Sequence, residues 1–322
     1  KREPKGAGRL HSLIVKNIVD RVDGGWQQFW EAVAEGRPNV RPPKPVKRKR
    51  YRSLTCPQYG NGVRIADGRV EIAMLGSFRL HDHRRIRGRI LTVTLKWAQG
   101  RWWCVVASEL QARDVLRVAA EGAPDVGADP GLAAVLTFSD GRSLDPPRAL
   151  AENLDKLRHE QKALSRKFEA LKKRQVEENR AARAGGRAAE RLPLPNRLRG
   201  QIAQVGKVHT KVSNIREHWH KLNARRTERR YGRVAIEEHG LGFMIRNRRL
   251  ARSASDRALG YQKQALASAL GERLVPVPNR RPGVGGNSQT CLCGASVPKE
   301  LKDRWHDCPA CGLSAPRDVV SA

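Results

Sequence analysis

Residues 125–141 read DVGADPGLAAVLTFSDG, and the fold class turns on how that stretch is parsed. A short apolar run ends on Asp129, Pro130-Gly131 breaks it, a second apolar run covers Ala134 to Phe138, and Asp140-Gly141 supplies another tight turn. Apolar runs bounded by Gly, Pro and Asp predict strand, turn and strand rather than helix. Asp129 is then a carboxylate presented from a strand. Two further acidic sites have a related local form. RVAIEEHG (233–240) predicts a short strand, Val234 to Ile236, that delivers Glu237; strand alternation places its neighbour Glu238 on the opposite face. APRDVVSA (315–322) places Asp318 at the opening of a last helix. Alone each signal is weak, since D-P-G and E-E segments are commonly turns or solvated edges. Their order is more specific, with a long helical stretch between the first two and a cysteine cluster before the third.

That helical stretch spans 148–230. Leu154, Leu157, Gln161, Leu164, Phe168 and Leu171 follow 3-4 spacing, the pattern of an antiparallel hairpin or coiled-coil seam. A Gly/Pro break at 185–195 ends the first helix, and Leu198, Ile202, Val205, Val212, Ile215, Trp219 and Leu222 carry a second. Both polar faces are dense in Lys and Arg, which suits either a solvated surface or the wall of a nucleic-acid channel. The cysteine cluster is Cys291-Leu-Cys293, then 14 residues, then Cys308-Pro-Ala-Cys311. Two thiolate pairs so separated predict a tetrahedral four-cysteine zinc site of structural type, with Gly294 and Gly312 forming its knuckles. His306 is a candidate substitute ligand, although the ribbon surface is its expected place. Cys56 and Cys104 lie in strand contexts and read as small apolar side chains. GVGG (283–286) reads as a hinge into the ribbon.

Toward the start of the chain, Leu10, Leu13, Ile14, Ile18, Val19 and Val22, continued by Trp26, Phe29, Trp30 and Val33, predict a helix over 10–34. The Pro-rich, cationic RPNVRPPKPVKRKRYR (37–52) reads as a linker or arm that presents charge. From Ser53 to Leu110 short strands alternate Arg with apolar residues around Asp67-Gly68 and Gln99-Gly100 turns, which predicts a small barrel or sandwich with one packed and one basic face. Such a face suits structured RNA.

Composition agrees. Against 32 Asp and Glu stand 63 Lys and Arg among 322 residues, a formal net charge of +31. An excess of that size opposes compaction unless a polyanion neutralises it, so the expected partner is nucleic acid. No apolar run approaches the roughly 20 residues of a membrane span, and no secretory leader is visible. No membrane partner is expected, and cysteines clustered for a metal fit a reducing cytosol. The first residue is Lys1, so a native N-terminal piece is expected to be missing.

On VGADPGLAAVLTFSDG, the helical NRLRGQIAQVGKVHTKVSNIREHWHKL, VAIEEHGLGFMIRNRRLARSASDRALG, NSQTCLCG, CPACG and Arg317-Asp318, the chain resembles the TnpB-like transposon-encoded RNA-guided nucleases and the compact type V CRISPR effectors. Departures from that pattern are Val320 where Asn is usual, Pro316 in place of an Asp, and a first cysteine pair one residue short. The resemblance implies an α+β multi-domain protein: an RNase H-like (RuvC) α/β core with helical insertion and zinc ribbon, a small β-barrel wedge domain and a helical recognition segment. The implied boundaries are 1–48 for the recognition segment and basic linker, 49–118 for the wedge, 119–285 for the nuclease core with its hairpin at 148–230, 286–315 for the ribbon, and 316–322 for the last RuvC motif. By resemblance Asp129, Glu237 and Asp318 match the three acidic catalytic positions and would hold two Mg²⁺, while Cys291, Cys293, Cys308 and Cys311 would hold one Zn²⁺. Implied partners are a guide RNA and target double-stranded DNA, in a prokaryotic cytosol or nucleoid. A guide-bound repressor that does not cut, and a ribosomal-type zinc-ribbon RNA-binding protein, are the competing readings.

Overall fold

In the computed structural model, which describes residues 10–46, 50–82, 85–98, 100–111, 122–238, 245–278, 287–300 and 303–322, the apolar spacing near the start becomes helix α1 (Ser12–Ala34). The His11 ring accepts the Leu13 N–H at its head, and Gly36, at φ +65°, closes its far end. The basic run 47–49, Gln99, residues 239–244 and the hinge glycines lie outside the described residues. The chain divides into two compact units, Lys1–Leu116 and Arg117–Ala322.

In the first unit, β1 (Ser53–Cys56), β5 (Arg89–Ala98) and β6 (Arg101–Glu109) form one antiparallel sheet, and β2 (Val63–Ala66), β3 (Arg69–Ile72) and β4 (Gly76–Arg79) form another. Asp67 and Gly68 both take positive φ and pair Ala66 with Arg69, as a two-residue hairpin of matching twist requires. Cys56, Val63, Val70, Ile72 and Val93 from the two sheets share one core with Ile14 of α1. Burial raises the pKa of both Cys56 and Cys104, as befits apolar packing.

The second unit is built on a five-stranded sheet of order β11-β10-β7-β8-β9. Strands β7 (Val126–Asp129), β8 (Leu136–Phe138) and β9 (Ser143–Leu144) form an antiparallel meander; β10 (Val234–Glu238) and β11 (Leu274–Pro278) run parallel to β7. Strand β8 starts two residues later than its sequence predicts, because residues 131–134 form a loop tied down by Arg257, whose Nε donates to the Leu132 carbonyl at 2.8 Å. One sheet face carries Val126, Ala128, Val234 and Ile236 into a core with Ala224, Leu266 and Leu270. Those last three come from α3 (Asn196–Arg230) and α5 (Leu259–Leu270), which lie on that face.

Between β9 and β10 the chain leaves as α2 (Ala149–Ala184) and returns as α3, with the break at 185–195 where Gly and Pro demand it. At 36 and 35 residues each helix is about 50 Å long. Their seam buries Leu157, Leu198, Val208 and Val212, whereas Phe168, Ile202 and Leu222 sit at its rim. A straight 3.6-residue helix drifts away from a strict heptad line, so a stripe read at fixed spacing leaves the contact after a few turns. The N-terminus of α2 is capped from elsewhere in the chain. Asp256 of α4 (Ala251–Arg257), itself buried, accepts the Leu150 and Ala151 N–H groups at 2.9 and 3.3 Å and the Arg216 guanidinium at 2.8 Å. Buried His220 links α3 to α5 through the Gln262 side chain and to the Arg257 carbonyl at 2.9 Å; burial holds its pKa below the usual imidazole value. No helix among the described residues is long and apolar enough to cross a membrane.

Removing Asp256 would strand Arg216 in a half-dry site and uncap α2. Asp256→Ala is therefore expected to cost about 3–5 kcal/mol, read as a fall in the thermal unfolding midpoint; an unchanged midpoint would show that the latch carries no weight.

Candidate active site and metal centre

The carboxylates are placed by strand register. Strand β7 pairs with β10 as Val126↔Val234, Gly127↔Ala235 and Ala128↔Ile236, so Asp129 and Glu237 are the next residues on two adjacent parallel strands. Asp125 fixes that register where the strands enter the sheet. Its carboxylate accepts the Arg233 N–H at 2.8 Å and the Arg233 Nε at 2.9 Å, and these hydrogen bonds hold its pKa below the usual carboxylate range. Residues 126, 128, 234 and 236 face the core, so alternation sends Asp129 and Glu237 to the other face, where both are half-buried.

Asp318 is brought to that face by α6 (Arg317–Ser321), which packs on β7 and β8. The approach is close enough to forbid a side chain beneath it: a Cβ on Gly127 would lie 1.5 Å from the Ala322 carbonyl oxygen. An isolated glycine inside a strand pattern marks such an approach, and V-G-A at 126–128 carries that signal in the sequence. Asp318 accepts from Arg317 Nε and Nη2 at 3.3 Å each. Asp129 and Glu237 thus share a face on which the helix carrying Asp318 also packs. Among the described residues, the group of three or more that draws its ligand atoms within 4.8 Å of one another is the four cysteines. Like charges on one surface repel until cations stand between them, and three hard oxygen donors suit a divalent ion such as Mg²⁺.

The thiols fit their expected metal directly. Cys291 and Cys311 have sulfurs 3.6 Å apart, Cys293 and Cys308 3.7 Å apart. Tetrahedral zinc at a Zn–S distance near 2.3 Å needs sulfurs about 3.8 Å apart. Gly294 and Gly312, at φ +86° and +72°, donate their N–H groups to the Cys291 and Cys308 carbonyls and turn the two knuckles, so the short first pair closes like the second. The Cys311 N–H stabilises the Cys308 thiolate and helps lower its pKa to about 7. For Cys311 the Leu313 N–H acts in the same direction, but the surrounding thiols outweigh it and raise its pKa to about 12. A bound metal would take the place of whatever protons these crowded sulfurs keep. His306 does not lie on the ribbon surface as expected from sequence. It is fully buried in β12 (Trp305–Asp307), opposite Ala315 of β13 (Ser314–Pro316), and neither ring nitrogen has a hydrogen-bond partner among the described residues. Strand pairing turns it inward while Trp305 and Asp307 face out.

The chain is strongly cationic and mixed in its secondary structure, with a four-thiol ribbon and strand-end carboxylates. No family model matches it. Among curated proteins it is similar to "Putative RNA-guided DNA endonuclease InsQ" of Escherichia coli strain K12, with 24% identity over 184 residues. The match covers 56% of this chain and 39% of that relative's length. The likeness to RNA-guided nucleases read from the motifs is borne out by this relative.

Two measurements probe the site. Elemental analysis of the purified chain is expected to find one zinc, and Cys308→Ser is expected to lose it with a lower unfolding midpoint; zinc retained in that variant would break the four-thiol assignment. Gly127→Ala is expected to push α6 off β7 at a cost of about 1–3 kcal/mol, against a gain of about 0.5–1 kcal/mol for Gly200→Ala inside α3, where the added Cβ meets open space.

Proposed function

We propose that the chain is an RNA-guided DNA endonuclease that cuts with Asp129, Glu237 and Asp318. The reading is carried by the parallel register of β7 and β10, which sets Asp129 beside Glu237 on the face that also receives α6. A meander of three antiparallel strands followed by two strands parallel to the first suits an RNase H-like core of RuvC type, with α2 and α3 as its insertion. The proposed divisions are 1–48, 49–118, 119–285, 286–315 and 316–322, as recognition segment, β-barrel wedge, nuclease core, ribbon and last catalytic motif.

In this reading a guide RNA binds the strand domain and the basic helices, a short flanking DNA motif is read by the protein, and base pairing selects the rest of the target. α3, whose only acidic residues are Glu217 and Glu228, offers cations along its exposed face to phosphates. Asp129 and Glu237 would hold two Mg²⁺ jointly with Asp318, once Asp318 exchanges its Arg317 partner for them. Such a pair would lower the pKa of an attacking water and neutralise charge on the leaving oxygen. The protein's own part is to fix three carboxylates on rigid elements and to hold the scissile strand against them with Arg and Lys. The zinc ribbon acts as structure and as a target-strand contact. The setting is a prokaryotic cytosol or nucleoid.

The Asp318–Arg317 ion pair favours one second reading, a guide-bound DNA binder that does not cut. Both are tested by Asp129→Ala in the complex with copurified RNA. Mg²⁺-dependent cutting is expected to fall at least about 100-fold while target binding stays within about two-fold. Cutting that persists would refute the site; a wild-type complex that binds and never cuts would establish the second reading.

A further inference from the structure

The tip of the β5–β6 hairpin exposes more indole than a small sheet needs for packing. Its register is Lys96↔Trp103, Trp97↔Trp102 and Ala98↔Arg101, with Gly100 at φ +76° in the turn. Strand alternation puts Trp97 and Trp102 on the face that leads, through Leu95 and Cys104, to buried Val93. Trp102 nevertheless lies beyond that core and is 62% exposed, its ring held edge-on to Trp97 at 5.4 Å between centroids. The opposite face carries Trp103, 40% exposed, with the Arg101 guanidinium 5.7 Å above its ring. Trp103 is pinned by its Nε1, which donates to the Ala98 carbonyl at 3.1 Å. These aromatic surfaces are therefore fixed before any ligand arrives, one braced by a second indole and the other anchored by a hydrogen bond.

The surrounding charge identifies the ligand. Between Arg89 and Glu109, which pair with each other at 2.6 Å, the described residues of the hairpin include the cations Lys96 and Arg101 and no acid. An exposed indole on one face of a hairpin tip, with cations on the other face of the same turn and no acid in either strand between Arg89 and Glu109, suits a nucleobase on a phosphodiester chain: the ring stacks and the phosphate meets Arg or Lys. A hydrophobic protein segment would use the indoles but leave the cations without a partner.

We infer that the hairpin tip is a stacking site for an unpaired nucleobase, with Trp102 as the platform and the nucleotide's phosphates reaching round the turn to Arg101 and Lys96, which stand on the opposite face. This rests on the proposed function and deepens it, by naming where an unstacked nucleotide of a guide RNA or of a displaced DNA strand is held. Stacking and charge have separable signatures. Loss of a ring weakens binding without changing its salt dependence, whereas loss of a phosphate contact flattens that dependence.

The test is titration of the full chain with a short oligoriboadenylate, its deoxy counterpart and an abasic oligomer of equal length, followed by anisotropy at several salt concentrations. Trp102→Ala is expected to weaken oligoriboadenylate or oligodeoxyadenylate binding by roughly ten-fold or more at an unchanged salt slope, with Trp102→Phe recovering most of the loss. The arm that weakens more tells RNA from DNA. Arg101→Ala is expected to lower the slope by about one. The proposal is overturned if Trp102→Ala binds both adenylates as wild type does. It is also overturned if wild type binds the abasic oligomer as tightly as the adenylates, a result that needs no variant to fold. Wild type that binds adenylates and cuts its target while Trp102→Ala is silent removes only this stacking site; wild type that binds no oligomer removes the nucleic-acid reading with it.

Discussion

The pairing of β7 with β10 is the constraint on which the rest of the second unit depends. Parallel strands have no hairpin to set their register, so something must hold them where they enter the sheet. Asp125 and Arg233 do so with backbone and side-chain hydrogen bonds on the residues just before each strand. A slip by one residue would turn Asp129 into the core and Val126 out of it. The alternation that seals Val126, Ala128, Val234 and Ile236 inside thus also selects the face on which the acids stand. Core and site are specified by the same registration.

A second coupling runs through α6. The strand β13 ends at Pro316 and α6 begins at Arg317, so the thiol ribbon continues without a linker into the helix that carries Asp318. The Arg317 N–H donates to the Arg304 carbonyl at 2.9 Å, and its side chain reaches the Glu300 carbonyl, both within the ribbon. On its other side α6 rests on Gly127. The position of Asp318 is therefore set jointly by a four-thiol knuckle and by the missing side chain of one glycine. Neither of these touches the carboxylate, yet each determines where it stands.

Much of this could be read in advance. The hairpin at 125–141, the helix pair with its break at 185–195 and the Asp67-Gly68 turn follow from local rules about Gly, Pro and apolar period, and those rules were sufficient. The four cysteines announce themselves by spacing. The burial of His306 did not, because the inward turn of a three-residue strand depends on its partner β13. The seam of α2 and α3 was misplaced at Phe168 and Ile202 for a related reason: local spacing gives the stripe, but helix drift decides which part of it meets the partner. Least legible was Asp256. An acid in ARSASDR looks like any solvated helix residue, and its role as cap of a helix over a hundred residues away in sequence belongs to tertiary structure alone.

The long insertion follows from these anchors. Two helices of 36 and 35 residues leave and re-enter one sheet, and a lever of that length would transmit motion to β10 if its base were loose. The base is held at three points: Asp256 caps α2 and binds Arg216, His220 bridges to α5, and Ala224 is buried in the sheet core. At the far end the loop is tied mainly to α2, by Gln175 to the Leu192 N–H and the Glu190 carbonyl and by Arg187 to Glu178. Between base and tip the exposed faces are polar and mostly cationic. Such a hairpin can meet a polyanion along its length while its root leaves the register of β7 and β10 undisturbed. Cationic surface and acidic face are thereby mechanically separated within one unit.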